Sequence, residues 1–137
     1  LNKLVSSVEG LNPSDYTEKS WNSFETELKE AKDILANEGI NAKVINIHTI
    51  KPLDSELIIE AAKETGAIVT AEEHSVIGGL GSAVAEAVTE KYPVPVLKVG
   101  VNDVFGESGK PDELLKAYNL TAQDIVNKVK DAITLKK

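Results

Sequence analysis

The chain has no cysteine and no methionine, and only two histidines and six aromatic residues other than histidine: one Trp, three Tyr and two Phe. Without cysteine there is no disulfide framework and no thiol nucleophile, and the redox compartment is left open. His48 and His74 do not stand at metal-ligand spacing, so no metal site is expected. Positive charge is also scarce. Fifteen basic residues face 22 acidic ones, a formal charge of -7. That balance argues against nucleic acid and anionic membrane as partners. No apolar run approaches the about 20 residues of a membrane span. No secretory leader pattern opens the sequence. The first residue is Leu1, so the expectation is a processed or excised piece of chain.

What is present is organised around residues 66–88. Ala67 to Ala71 is a short apolar run, as in a strand covered on both faces. Glu72, Glu73 and His74 fall where that strand should end, the usual place for ligands and partners in an open α/β sheet. Gly78, Gly79 and Gly81 make a turn that permits positive φ or close backbone approach. From Ser82 the apolar spacing turns helical, through Val84, Ala87 and Val88.

The rest falls into order around it. Leu1, Leu4, Val5 and Val8 have helical spacing and predict a short first helix, ended by Gly10. Trp21, Phe24, Leu28, Ala31 and Leu35 step by three and four, predicting a helix over 18–37 with one apolar stripe. Gly39 offers a left-handed C-cap, followed by Ile40. Residues 43–48 read as a strand, stopped by Pro52. Asp54 or Ser55 caps a helix over 56–64 that Gly66 ends. A third strand is expected over 94–101, then a loop over 102–110 holding Asp103, Phe105 and Gly106. Pro111 suits the first position of a short helix over 112–118. Thr121 and Asp124 form an N-terminal cap pair for the last helix, with Ile125, Val126, Val129, Ala132 and Ile133 inward. The pattern from residue 43 is β-α-β-α-β, which predicts an α/β fold with a small parallel sheet in three layers. A strand is missing before the helix that ends at Gly39.

Three stretches carry a family likeness. They are 41–54 (Val44, Ile45, Ile47, Pro52, Asp54), 72–82 (Glu72, Glu73, His74, Gly78, Gly79, Gly81) and 100–109 (Asn102, Asp103, Phe105, Gly106, Gly109). In this order they make the segment 31–133 resemble the C-terminal domain of transketolase-like enzymes. That family includes split bacterial and archaeal transketolases and deoxyxylulose-phosphate synthases. Such domains begin with a strand that this chain lacks. Residues 11–21 instead are similar to the FIVAR-type three-helix modules of bacterial surface glycosidases, without their third helix. The expected division is 1–39, a helical hairpin, and 40–137, the transketolase-like unit. A chimera joined within a shared helix follows, whether an engineered fusion, a recombination product or an artefact of joining.

The resemblance implies a cytoplasmic packing and assembly domain without activity of its own. The parent enzymes transfer two-carbon ketol units between sugar phosphates. Thiamine diphosphate and magnesium belong to their other domains, so no cofactor is expected here. The implied partners are those missing domains or a second copy. Glu72 and His74 could share one face of a strand, with Glu73 opposite. The functional reading is a Glu–His pair; the plainer one is a hydrogen-bonded corner that positions the glycine turn, or part of an interface. The glycine turn could cradle an anion at a helix N-terminus, though its spacing is not that of a nucleotide-binding loop. Asn102 and Asp103 are expected to cap their own loop, which Phe105 seals. His48 is expected to be structural. An alternative function is protein binding or self-association, through an exposed Trp21/Phe24 helix face or an open sheet edge. Strand or helix exchange between two copies would complete the sheet.

Overall fold

The structure is a computed structural model that describes residues 18–136, with side chains from residue 24 onward. The first expected helix, the FIVAR-like connection and the Trp21 side chain lie outside these described residues. The order is α1 (Glu18–Asn37), α2 (Ser55–Thr65), β1 (Ile68–Ser75), α3 (Leu80–Lys91), β2 (Val96–Val101), α4 (Pro111–Ala117) and α5 (Ala122–Thr134). It is an α/β fold. β1 and β2 pair in parallel, with Ile68 opposite Val96 and Ala71 opposite Val99.

Alternation along the two strands feeds two cores, one on each face of the sheet. On the first face, Ala31 and Leu35 of α1 meet Val99, Leu115, Ile125 and Val126, with Val69 and Ala71 packed against them. On the second, Ile58 and Ala62 of α2 meet Val84 and Val88 of α3, over Ile68 and Val96. Helices α1 and α5 therefore cover one face, and α2 and α3 the other. Burying each branched side chain contributes about 1.5–3 kcal/mol, so these two clusters hold the layers together.

Local chemistry sets the helix ends. Gly39 is left-handed at φ 78°, and the Ile40 N–H donates back to Leu35. The Asp54 carboxylate accepts from the Leu57 N–H at 3.1 Å. Thr121 and Asp124 form a reciprocal capping box. The Glu27 carboxylate of α1 also accepts from the Ala122 N–H, so α1 caps α5 as well as packing on it. Lys130 and Glu38 add a half-exposed ion pair at 2.7 Å, the kind that contributes little by itself.

Three expectations need correction. Residues 43–48 form no ladder, so the sheet has two strands rather than three among the described residues. Strand propensity acts only where a neighbouring strand accepts the backbone bonds. Lys43 there is held instead by Glu64 at 2.5 Å, and that bond raises its ammonium pKa above the ordinary value. Phe24 is not an open docking face, because it packs half-buried against the first core. Ile133 sits on the outer side of α5, 39% exposed.

Leu35 is 2% exposed. Leu35→Ala is expected to lower unfolding free energy by about 2–5 kcal/mol, read as a lower urea midpoint with unchanged slope. A loss under about 0.5 kcal/mol would mean that α1 does not close the first core.

Candidate functional site

β1 does not stop at Ala71. It continues to Ser75, so Glu72, Glu73 and His74 are strand residues. The ladder slips there: after Ala71 opposite Val99, the next pair is Ser75 opposite Val101. This bulge breaks the simple alternation that would put Glu72 and His74 on one side.

Glu72 turns inward and is buried. Its carboxylate accepts from the Leu80 N–H at 2.7 Å and the Gly81 N–H at 2.9 Å. These are free amides of the first turn of α3, whose N-cap is Gly79 and has no side chain to supply. Glu72 thus caps the helix from eight residues upstream, and its charge suits the positive end of the helix dipole. The glycines make room for it. A Cβ at Gly79 would strike the Glu72 carboxylate and the Ser75 carbonyl. A Cβ at Gly81 would lie 2.8 Å from both the Lys98 stem and Thr70 Oγ1. Gly78 has a φ of 78°, which a side chain disfavours.

Lys98 and Ser82 complete the corner, and neither was singled out from the sequence. Lys98 Nζ donates to the Val76 carbonyl at 3.1 Å and to Ser82 Oγ at 3.2 Å. Ser82 Oγ in turn accepts from the Gly78 N–H at 3.0 Å. The available signal was a lysine inside an otherwise apolar strand, opposite Thr70 in register. Buried Thr70 Oγ1 has no hydrogen-bond partner among the described residues.

His74 is exposed, with Nδ1 3.0 Å from the Ser75 carbonyl, and makes no bond with Glu72. Of the two readings of this corner, the Glu–His pair does not form, and the hydrogen bonds tie Glu72 to the glycine turn. Glu73 is held above its ordinary carboxyl value by partial desolvation. His48 is exposed, on the segment between α1 and α2. Asn102, Asp103 and Phe105 follow β2, at the same end of the sheet. The loop is closed differently from expectation. Tyr118 Oη accepts from the Glu107 N–H at 2.7 Å, while among the described residues no hydrogen bond holds the Asp103 carboxylate. Phe105 seals nothing, being 98% exposed; a loop side chain with no core within reach turns outward. An open cleft of about 340 Å³ lies between Ile47 and Ile50 on one side and Ala71, Glu73, His74 and Gly78 on the other.

This arrangement does not fit a diphosphate or its metal. The anion position at the start of α3 is filled by Glu72 itself. Among the described residues no three His, Cys, Asp or Glu side chains gather as a metal site. No helix there is long and apolar enough to cross a membrane.

A family model described as "Transketolase, C-terminal domain" matches residues 22–125. The 6-deoxy-6-sulfo-D-fructose transketolase subunit SqwH of Clostridium sp. is 54% identical over 96 residues, 70% of this chain and 30% of that protein. A 1-deoxy-D-xylulose-5-phosphate synthase of Trichormus variabilis is 45% identical over 104 residues, 75% of this chain and 16% of that one. A solved structure titled "Split gene transketolase, inactive beta4 tetramer" superposes with a TM-score of 0.79 at 58% identity, over 83% of this chain and 37% of that one. The chain therefore spans well under half the length of each of these relatives.

Glu72→Ala is expected to strip the Leu80 and Gly81 amides of their acceptor and to cost about 1–3 kcal/mol, checked by urea unfolding. Amide exchange should quicken first at the start of α3; unchanged exchange there would contradict the cap. Glu73 has the opposite sign. Its folded value lies above the unfolded value near 4.5. The folded state keeps the proton longer, so stability falls as pH rises through that interval. Glu73→Gln should therefore stabilise relative to the parent at about pH 7 and not at about pH 3, by thermal melts. Equal effects at both would contradict the desolvation.

Proposed function

The chain belongs to the transketolase C-terminal domain family, and from that premise we propose that it is a non-catalytic structural and assembly domain of a transketolase-like enzyme. The observation that carries this reading is the occupation of the α3 N-terminus by Glu72. Glu72, the acid at the centre of the corner, serves the turn rather than a substrate. In the proposal, the parent reaction is two-carbon ketol transfer between sugar phosphates. Thiamine diphosphate and magnesium are held by other domains, and the setting is cytoplasmic.

The proposed contact surface is the end of the sheet where both strands finish. There the corner of Glu72, Glu73, His74, Gly78, Gly79 and Gly81 lies at the same sheet end as the loop of Asn102, Asp103 and Phe105. Ile77, Val104 and Phe105 are exposed apolar groups at that end, at 64%, 59% and 98%. Single exposed apolar residues are ordinary, but several at one end of a sheet favour a protein contact. The occupants we propose are the missing domains of the enzyme or a second copy. The tetramer named for the solved relative supports the second. The packing of α1 on α5 and the family match from residue 22 favour an assembling unit that includes α1. Residues 1–17 are then the proposed foreign, FIVAR-like part of a chimera.

With thiamine diphosphate, magnesium, a ketose phosphate donor and an aldose phosphate acceptor, the isolated chain is expected to give no turnover above blank. Turnover would contradict the non-catalytic reading. Light scattering over a tenfold concentration range should show association. A monomer throughout would remove self-association and leave only the missing domains as partner.

A further inference from the structure

Two apolar surfaces of this chain call for cover. The first stands where the strands finish. Ser75 pairs with Val101 at the last rung of the ladder, and the Val76 N–H donates to the Val101 carbonyl. Ile77 follows that rung on one strand. On the other, the Val104 N–H turns back to the Asn102 carbonyl, which holds Val104 and Phe105 close to the same rung. All three side chains are exposed. The loop that carries two of them is anchored, because its Glu107 N–H donates to Tyr118 Oη and Tyr118 packs on the first core. The second surface is a stripe in the sequence. Leu1, Leu4, Val5 and Val8 fall on one side of a helical repeat, with Lys3, Ser6 and Ser7 on the other. A helix that short is marginal in water without a partner.

The direction of α1 brings the two together. The Glu27 carboxylate meets the Ala122 N–H at the start of α5, and Glu38 meets Lys130 two turns further along. The two helices therefore run the same way. Lys136, past the end of α5, lies 3.7 Å from where a Cβ of Gly66 would stand, directly before β1. So α5 runs from the C-terminal end of the strands to their N-terminal end, and α1 does the same. α1 begins at Glu18, about 14 Å along the axis before Glu27 at 1.5 Å per residue. Residues 1–17 thus join the described chain at the end of the sheet that carries Ile77, Val104 and Phe105. Residues 10–17 can span up to about 27 Å, against a helix diameter of about 10–12 Å, so the stripe reaches the patch. The inner face of α1 is already taken, since Phe24 and Leu28 pack on the first core.

We propose that residues 1–9 of this chain lie as an amphipathic helix over Ile77, Val104 and Phe105, so that the chain shields its own contact surface. Leu1, Leu4, Val5 and Val8 face the patch, and Lys3, Ser6 and Ser7 face water. Phe105 supplies the largest apolar area of the contact, as aromatic side chains do. The contact itself stands on the geometry above. Its consequence, a brake on association, rests on the assembly reading. A partner must displace the segment before it can bind. With about one molecule in ten uncovered, association is weakened about tenfold relative to a chain without the segment.

The absence of cysteine lets Ser6→Cys carry a single nitroxide label on the full chain, enriched in nitrogen-15. The amide signals of Ile77, Val104 and Phe105 are expected to broaden, while those of Gly66 and Leu135, at the far end of the sheet, keep their intensity. Phe105→Ser removes a side chain with almost no packing to lose, and should abolish the broadening at Ile77 and Val104. Leu4→Ser combined with Val5→Ser should do the same. Absence of broadening at the patch overturns the proposal, as does equal broadening at both ends. Broadening that persists when the nitroxide and the nitrogen-15 are on different chains also overturns it, and gives the patch to a second copy's segment. Light scattering separates the shield from the assembly reading. Deleting residues 1–9 should strengthen association about tenfold. Broadening in the full chain with association unchanged by the deletion would leave the contact standing and refute the patch as an assembly surface. Association lost in Phe105→Ser, with no broadening in the full chain, would keep the assembly surface and refute the shield.

Discussion

The bond from the Glu72 carboxylate to the Leu80 and Gly81 amides governs the middle of this molecule. A buried carboxylate is costly unless its oxygens are met, and a helix start is costly unless its amides are met. Each answers the other. The consequences reach outward from there. β1 must continue past Ala71 to deliver the acid. The ladder must slip to absorb the extra residues. Gly79 and Gly81 must lack side chains to let the helix approach. Lys98 and Ser82 then fasten the far side of the same turn. The corner is built as architecture, and the anion position that a ligand would need is filled from within.

Much of the fold was legible because local physics decided it. The apolar stripe from Phe24 to Leu35 and the left-handed Gly39 bound α1 at both ends, and the expected range matches the structure. The Asp54 cap and the Thr121–Asp124 box were readable for the same reason: each satisfies amides within its own first turn. What was not legible depends on distant partners. Polar Glu72, Glu73 and His74 read as a strand end, because a sequence does not announce that a glutamate will be buried by bonds eight residues on. Residues 43–48 have strand-like side chains, but a strand exists through its neighbour. Phe105 looked like a loop seal, since aromatic residues usually find cover; here nothing near the loop provides it. Lys98 is a single charge in an apolar strand, and its place in the corner depends on the pairing that sets it opposite Thr70.

The two faces of the sheet are better furnished than its edges. Both carry a packed helical layer, and both cores are continuous across β1 and β2. The layer between them is short of backbone. Segment 40–49 is tied down by Lys43 and Glu64, yet it joins no ladder with β1. A small α/β unit whose two strands each have an unpaired outer edge among the described residues, with exposed apolar residues at one end, is poorly suited to standing alone. It is well suited to being one part of a larger body, which agrees with the fraction of its relatives' length that it spans.

The most direct test of the corner's role is calorimetric titration of the chain with inorganic diphosphate in the presence of magnesium. With Glu72 already holding the Leu80 and Gly81 amides, no saturable heat is expected, and the amide signals of those two residues should not move. Saturable binding accompanied by shifts at Leu80 and Gly81 would mean that the carboxylate yields its place to a ligand. The corner would then be a phosphate site and not a fixed element of the fold.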